Sequence, residues 1–298
     1  MTTEILTTIA GTRAVLDRHR ADGHTVGFVP TMGYLHDGHG SLIRAARAET
    51  DMVIVSIFVN PLQFGAGEDL AAYPRDLERD WDVAAANGAD LMFHPATEEM
   101  YPDGAVLTSV TVGDLSERWD GESRPTHFAG VATVVSKLFN IIGPCRAYFG
   151  EKDFQQLTVV QRMVADLSTP VDVVGCPTVR EPDGVAMSSR NSYLSPEDRA
   201  AAVVVRRALD AGRAAFADGQ HDPTEVATTM ADVVADEDRA TLDYVAVVDP
   251  DTLQTAAAVD QSTRLLIAVT LGTTRLIDND AAGGPEPTPR MPAMEGPS

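Results

Sequence analysis

The chain has 298 residues, of which 44% are hydrophobic and 22% are charged, as expected for a soluble globular protein of one or two domains. It carries 44 acidic residues against 23 basic ones, a formal net charge of −21, which argues against nucleic acid or an anionic membrane as the main partner. Cys145 and Cys176 lie far apart and outside any CxxC pair, which excludes a disulfide scaffold and a cysteine-based zinc site.

Membrane insertion and export are also not expected. No apolar stretch approaches the ~20 residues that cross a bilayer. The first ten residues, MTTEILTTIA, lack the basic region and long apolar run of a secretory signal. We therefore expect a cytoplasmic protein without a membrane partner.

The first part of the chain alternates short apolar runs with helical patterns. Residues 25–31 and 52–59 predict buried parallel strands, and residues 41–50 between them predict a helix. The alternation continues through predicted helices at 76–87, 127–142 and 153–167 and predicted strands at 89–93, 146–150 and 171–175. This order predicts an α/β fold, with a Rossmann-like parallel-sheet domain over residues 1–178.

The pattern changes after residue 178. A Gly/Ser/Asn-rich loop at 182–192 precedes a predicted helix that starts at Ser195 or Pro196 and runs to about Gly219. One more predicted helix (223–236) and three predicted strands (near 242–248, 264–270 and 274–278) follow. We expect a smaller α+β domain at 179–280 that acts as a lid, and a disordered Gly/Pro-rich tail at 281–298.

The segment PTMGYLHDGH (30–39) follows the first predicted strand and carries two histidines three residues apart, His36 and His39. If they open a helix, both rings face one way beside free backbone N–H groups, which favour phosphate. The start of a helix after a strand is also where open α/β sheets bind nucleotides. A pair of helix-capping or surface histidines remains the alternative, and zinc is disfavoured because a third ligand is lacking.

Two other segments carry cations that suit a phosphate compound. In Gly150-Glu151-Lys152-Asp153, one of the only two lysines of the chain sits where a strand is predicted to end, so its charge can neutralise phosphate; Asp153 alone is equally explained as a helix cap. Ser188, Ser189 and Arg190 in the later loop can wrap a polyphosphate, or form an ordinary polar turn. The other lysine, Lys137, is predicted to lie in mid-helix as a solvated residue, or as one that packs its stem on the protein and keeps its ammonium in water.

Five ordered stretches identify the chain as similar to a known family. They are PTMGYLHDGH (30–39), FVNPLQFG (58–65), HFAGVATVV (127–135), YFGEKDFQQL (148–157) and PTVREPDGVAMSSRNSYL (177–194). Together they resemble the pantothenate synthetases, the pantoate–β-alanine ligase family within the HxGH nucleotidyltransferase superfamily, from about residue 5 to 280. The one local departure is Gly40, where the family more often has a larger residue.

The resemblance implies an ATP-dependent, AMP-forming acid–amino-acid ligase of pantothenate and coenzyme A biosynthesis. Pantoate would be adenylated by ATP, and β-alanine would displace AMP after diphosphate has left. Mg²⁺ would be bound to the phosphates, without an assignable protein ligand, and the protein would be a cytoplasmic homodimer. Two rival hypotheses remain open, namely another HxGH nucleotidyltransferase, which releases diphosphate but not AMP, and a non-catalytic nucleotide-binding module.

The resemblance also implies site residues. Those implied for catalysis are His36, His39 (as proton donor), Lys152, Ser188, Ser189 and Arg190. Those implied for ATP binding are these six together with Met32, Gly33, Tyr34, Leu35, Asp37, Gly38, Gly150, Glu151, Asp153, Val179 and Met187. Those implied for pantoate and β-alanine are Gln63, Gln156, Met32, Phe58 and Asn60. No residue is expected to hold a metal directly.

Overall fold

The computed structural model describes residues 4–284, except 66–69, 71–72 and 105. In these ranges the first domain is a parallel sheet of β1 (Glu4–Leu6), β2 (Val26–Thr31), β3 (Met52–Ile57), β4 (Leu91–Phe93), β5 (Cys145–Gly150) and β6 (Val171–Cys176). Its helices are α1 (Ile9–Ala21), α2 (Asp37–Glu49), α3 (Leu77–Ala86), α4 (Thr97–Met100), α5 (Asp120–Ser123), α6 (His127–Ile142) and α7 (Phe154–Asp166). The predicted α/β fold is confirmed.

The strand order is β1-β4-β3-β2-β5-β6. From β2 the chain moves outward to β3 and β4, and it later returns to the other side of β2 as β5. The order therefore reverses between β2 and β5, and in open α/β sheets a ligand crevice forms outside the carboxyl ends of the strands at such a point. The two predicted phosphate segments follow these two strands.

The second domain contains α8 (Pro196–Ala201), α9 (Val203–Ala217) and α10 (Pro223–Ala235), followed by the antiparallel strands β7 (Ala240–Val248), β8 (Arg264–Leu271) and β9 (Thr274–Ala281). The predicted α+β character is confirmed. The single helix expected from Ser195 is instead two helices that meet at Ala202, and Ser195 caps the first through its Oγ, which accepts from the N–H of Asp198.

The two domains are in close contact. Ala246, Val248, Leu253 and Leu266 of the second domain join the apolar core of the first, and the Trp119 indole N–H donates to the carbonyl of Leu253 at 2.8 Å. The boundary at residue 178 stays a prediction.

The chain ends differ from expectation in small ways. Strand β1 and helix α1 were not predicted, because β1 is only three residues long and polar residues make up six of the thirteen positions of α1, which weakens its apolar pattern. At the other end Ala281 belongs to β9 and Ala282 is buried, so residues 281–284 are not part of a tail; the predicted tail at 285–298 lies outside the described residues. Within the described ranges, no helix has both the length and the apolar character to cross a membrane.

Candidate active site

The two histidines lie at the start of α2 and cap it with their own rings. His36 is the N-cap residue, and its Nδ1 accepts from the N–H of Gly38 at 3.2 Å. The Nδ1 of His39 accepts from the N–H of His36 at 3.3 Å, and the two ring centroids are 4.1 Å apart. The capping alternative is therefore correct as local structure. Both rings also line a cavity at the switch point, the place between β2 and β5 where the strand order reverses.

These hydrogen bonds define what the rings can offer to a ligand. Burial, reinforced by the Lys152 cation, lowers the pKa of His36 to about 4, and burial together with His36 lowers the pKa of His39 to about 3. Both rings are thus neutral at pH 7. Since each Nδ1 accepts a backbone hydrogen, the ring proton is on Nε2, and each histidine has one N–H left to donate.

Asp80 on α3 holds the loop in front of the histidines. Its carboxylate accepts from the N–H of Tyr34 at 2.8 Å and from that of Leu35 at 2.6 Å. The backbone needs this support because Gly33 has a φ of 87° and Tyr34 a φ of 53°, a conformation that costs a side-chain-bearing residue energy. Asp80 is only 1% exposed, and burial raises its pKa, while the two N–H groups act against that rise.

The departure at Gly40 has a packing reason. A Cβ at this position would lie 3.0 Å from the side-chain amide of Asn87, just after α3. Glycine therefore allows α2 to approach the end of α3 closely, the same helix that carries Asp80.

The second segment follows β5 as a 3₁₀ turn over Glu151–Asp153 that leads into α7. Asp153 occupies the predicted N-cap position of α7, but its side chain makes no capping bond to the helix. Its Oδ1 instead accepts from the Nζ of Lys152 at 3.2 Å. Burial opposes ionisation of Asp153, but the charge and hydrogen bond of Lys152, together with the charges of Arg190 and His127, lower the pKa of Asp153 below its ordinary value.

The third segment closes the cavity from the side of the second domain. Ser188 caps a 3₁₀ turn (Ser189–Tyr193) by accepting from the N–H of Arg190 at 3.3 Å, so it is a polar turn that also lines the cavity. Ser189 acts on the buried Tyr73, since it opposes the rise that burial causes in the pKa of the Tyr73 hydroxyl. The Arg190 guanidinium has no ion pair within the described part of the chain, although Asp153 is close enough to feel its charge.

The wall of the cavity beyond Lys152 is formed by amide side chains. Gln63 donates from Nε2 to the Sδ of Met32 at 2.8 Å and accepts at Oε1 from the Nδ2 of Asn60 at 3.2 Å. Asn60 is in turn fixed by the hydroxyl of Tyr101, which donates to its Oδ1 at 2.8 Å. Gly130 lets α6 contact this turn, since a Cβ there would lie 2.2 Å from the carbonyl oxygen of Leu62.

These segments enclose a cavity of about 210 Å³, which adjoins a cleft of about 680 Å³ between the domains. The predicted residues that line the cavity are Met32, His36, Gly38, His39, Phe58, Gln63, Gly150, Lys152, Asp153, Gln156, Val179, Met187, Ser188, Ser189 and Arg190. The cleft shares Met32, Gln63, Lys152, Asp153, Gln156, Ser188 and Arg190. The structure thus brings together segments that are up to 158 residues apart (from Met32 to Arg190).

Six predicted residues do not line either space. Gly33, Tyr34 and Leu35 shape the loop that Asp80 holds, and Asp37 is exposed at the first position of α2. Asn60 lies behind Gln63. Glu151 is turned away from the cavity and forms a buried ion pair with Arg264 of β8 at 3.2 Å.

Sequence reasoning missed Asp80, Tyr73 and Tyr101. Asp80 left a signal, because it lies four residues before Ala84 on the buried side of α3, where an acid needs a partner. The two tyrosines left none.

A parallel sheet with a cavity at its switch point, closed by a histidine-capped helix start, is typical of the HxGH class of nucleotide-using α/β enzymes. The family profile described as pantoate-beta-alanine ligase matches residues 4–281. The chain is 52% identical over 275 residues to the pantothenate synthetase of Sinorhizobium medicae, covering 92% of this chain and 94% of that protein. It is 53% identical to the pantothenate synthetase of Brucella anthropi, covering 93% and 96%.

Solved structures agree. The pantothenate synthetase of Thermus thermophilus has a TM-score of 0.89 at 49% identity, covering 94% of this chain and 99% of that one. The pantoate-beta-alanine ligase of Francisella tularensis, solved in complex with beta-gamma ATP and beta-alanine, has a TM-score of 0.79 at 33% identity, covering 95% and 99%. The chain belongs to the pantoate–β-alanine ligase family.

Proposed function

We propose that the cavity carries out the ligase reaction of this family in two steps. A carboxylate oxygen of pantoate attacks the α-phosphorus of ATP, the bond to the β-phosphate oxygen breaks, and diphosphate leaves. The amine of β-alanine then attacks the acyl carbon of pantoyl adenylate and loses a proton. The bond between the acyl carbon and the bridging oxygen breaks, and AMP leaves with that oxygen, which came from the pantoate carboxylate. The products are pantothenate, AMP and diphosphate.

The observation that carries this proposal is the meeting of three phosphate-binding devices around one space. Neutral His36 and His39 donate from Nε2 at a helix N-terminus, where phosphate is favoured. Lys152 and Arg190 supply positive charge, which a protein of net charge −21 must concentrate locally to attract ATP. Adenylation needs such positioning and charge neutralisation more than covalent help from the protein.

The proposed roles follow from this placement. Lys152, Ser188, Ser189 and Arg190 stabilise the charge that moves onto the leaving diphosphate. His39 acts as a hydrogen-bond donor to a phosphoryl oxygen through its Nε2–H, since a pKa of about 3 keeps the ring neutral at pH 7 with that one proton in place. Gln63 and Gln156 hold the polar groups of pantoate, with Met32 and Phe58 against its methyl groups.

We treat the metal as part of the substrate, MgATP, with Mg²⁺ on the phosphate oxygens. Within the described residues there is no group of three His, Cys, Asp or Glu side chains placed to hold an ion. The family resemblance is also our ground for proposing a homodimer in the cytoplasm, and sedimentation of the purified protein tests the dimer.

The experiment is exchange of labelled diphosphate into ATP. We expect exchange that requires pantoate but not β-alanine, because adenylation comes first, and AMP release only when all three substrates are present. Exchange without pantoate, or ADP as a product, would contradict the two-step reaction. Release of diphosphate without AMP would favour another HxGH nucleotidyltransferase, and no turnover with intact ATP binding would favour a non-catalytic module.

A further inference from the structure

The turn that carries Lys152 is held by the second domain. Asn279 of β9 donates from Nδ2 to two carbonyl oxygens of this turn, that of Glu151 at 2.9 Å and that of Lys152 at 2.8 Å. Asn279 is 3% exposed, and its partners are more than 120 residues earlier in the chain. One carboxamide therefore fixes two successive peptide groups, including that of Lys152 itself.

The orientation of this carboxamide is fixed by Arg264 of β8. The Nε of Arg264 donates to the Oδ1 of Asn279 at 2.7 Å, and its Nη2 lies 3.2 Å from the Oε2 of Glu151. The guanidinium also stacks over the ring of Phe154, 4.2 Å from its centroid. Because Oδ1 is taken by Arg264, Nδ2 must face the turn, and the whole group is buried.

The neighbour of Asn279 holds the other cationic segment. Asp278 accepts from Arg180 at 2.6 and 3.2 Å through both carboxylate oxygens. Arg180 pairs with Ala186 across a short hairpin, which leads directly into Ser188 and Arg190. Two successive residues of β9 thus fix both segments that surround the phosphate side of the cavity.

We propose that Asn279 is a positioning residue for adenylation, which places Lys152 correctly only when β9 of the second domain is docked on the turn after β5. The inference rests on the role of Lys152 in the proposed function. Its physical basis is that a cation stabilises the transition state only in the right place, and a displacement of about 1 Å can cost a factor of ~10². Lys152 has its own partner, Asp153, but that residue lies on the same turn and moves with it.

The test is the single-turnover rate of pantoyl adenylate formation in the full-length protein. Asn279→Ala should lower this rate ~10-fold while the KM values for ATP and pantoate change less than ~2-fold, since Asn279 does not touch the cavity. The matched control is Trp119→Phe, which also removes one side-chain donor to a carbonyl across the domain boundary but leaves an aromatic ring at this position and does not alter the turn. It should adenylate at the wild-type rate.

A double-mutant cycle separates positioning from general destabilisation. In a Lys152→Ala background, Asn279→Ala should lower the rate less than ~2-fold further, because the residue acts through a group that is already gone. If Asn279→Ala does not fold, Asn279→Ser replaces it in the same cycle.

Each of the remaining outcomes contradicts one specific claim. A fully multiplicative loss in the double mutant, or a wild-type rate for Asn279→Ala, overturns the positioning role and leaves the proposed function intact. A wild-type rate for Lys152→Ala overturns the role of Lys152 and the inference with it. Wild-type protein without pantoate-dependent diphosphate exchange overturns the proposed function itself.

Discussion

The two turns at the switch point are built in different ways. The histidine turn, residues 33–39 after β2, is held within the first domain. Its two rings cap their own helix, and the loop before them donates two backbone hydrogen bonds to Asp80, about 45 residues away. The lysine turn, Glu151–Asp153 after β5, is held by Asn279 and Arg264 of the other domain. One half of the candidate phosphate site is therefore complete within the first domain, whereas the other depends on docking of the second.

The largest effect we expect is from the lysine turn. Lys152→Ala should lower the adenylation rate by ~10²–10³-fold, as for the loss of one preorganised electrostatic donor. Lys152→Arg should recover little, because a planar guanidinium does not reproduce a compact ammonium. Single-turnover rates measure both.

The other lysine is the control for this prediction. Lys137 lies outside the cavity with its Nζ 5.6 Å from the centroid of the Tyr101 ring, so Lys137→Ala should change the unfolding free energy by only about 0.5–1 kcal/mol and leave the rate unchanged. A wild-type adenylation rate for Lys152→Ala would place the nucleotide elsewhere.

A smaller effect is expected when the histidine turn loses its support. Asp80→Ala leaves the buried N–H groups of Tyr34 and Leu35 without an acceptor, at a cost of about 1–3 kcal/mol for each group that stays buried. We expect a lower midpoint of denaturant unfolding and a ~10-fold slower adenylation, because the loop that leads to His36 relaxes.

Asp76 provides the matched control on the same helix. It is exposed and caps α3 by accepting from the N–H of Arg79, so its side-chain bond is to α3 itself, and only its charge acts on Asp80. Asp76→Ala should cost about 1 kcal/mol of stability with an unchanged rate. Equal loss of activity in both variants would mean that α3 as a whole, not the Asp80 carboxylate, supports the loop.

The difference between the turns also explains what the sequence could predict. Strand ends and helix starts follow from local patterns, so His36, Lys152 and the sheet itself were predictable. The contacts of Asp80, Tyr101 and Asn279 join residues about 40 to 130 positions apart, and composition or periodicity carries no record of such pairing. Even Glu151, which lies inside a recognisable motif, faces the other domain because it forms an ion pair with Arg264, more than 110 positions later in the chain.

The amide wall allows a milder test. Tyr101→Phe removes the hydroxyl that donates to Asn60, a bond worth about 0.5–1.5 kcal/mol, and Gln63 loses part of its support. We expect a ~2- to 10-fold higher KM for pantoate with an unchanged KM for ATP, measured from initial rates of AMP release. If only the KM for ATP changed, Gln63 would have to contact the nucleotide and not pantoate.

The smallest effect concerns protonation of the histidine turn in the free protein. An ordinary histidine titrates near pH 6.5, whereas burial holds the pKa of His36 at about 4 and that of His39 at about 3. Ring nitrogen and carbon shifts in NMR spectra should therefore show both rings neutral, with hydrogen on Nε2, from pH 8 down to about pH 5, assigned with His36→Asn and His39→Asn. The same shifts predict how stability depends on pH. Below about pH 6.5 the unfolded chain takes up these protons while the folded protein does not. The stability that the neutral rings contribute is therefore present above pH 6.5 and is lost as the pH falls through about 4 for His36 and about 3 for His39. Ring titration near pH 6.5 in the folded protein would show that the two rings are not withdrawn from water as the structure has them, because burial is the main cause of both lowered pKa values.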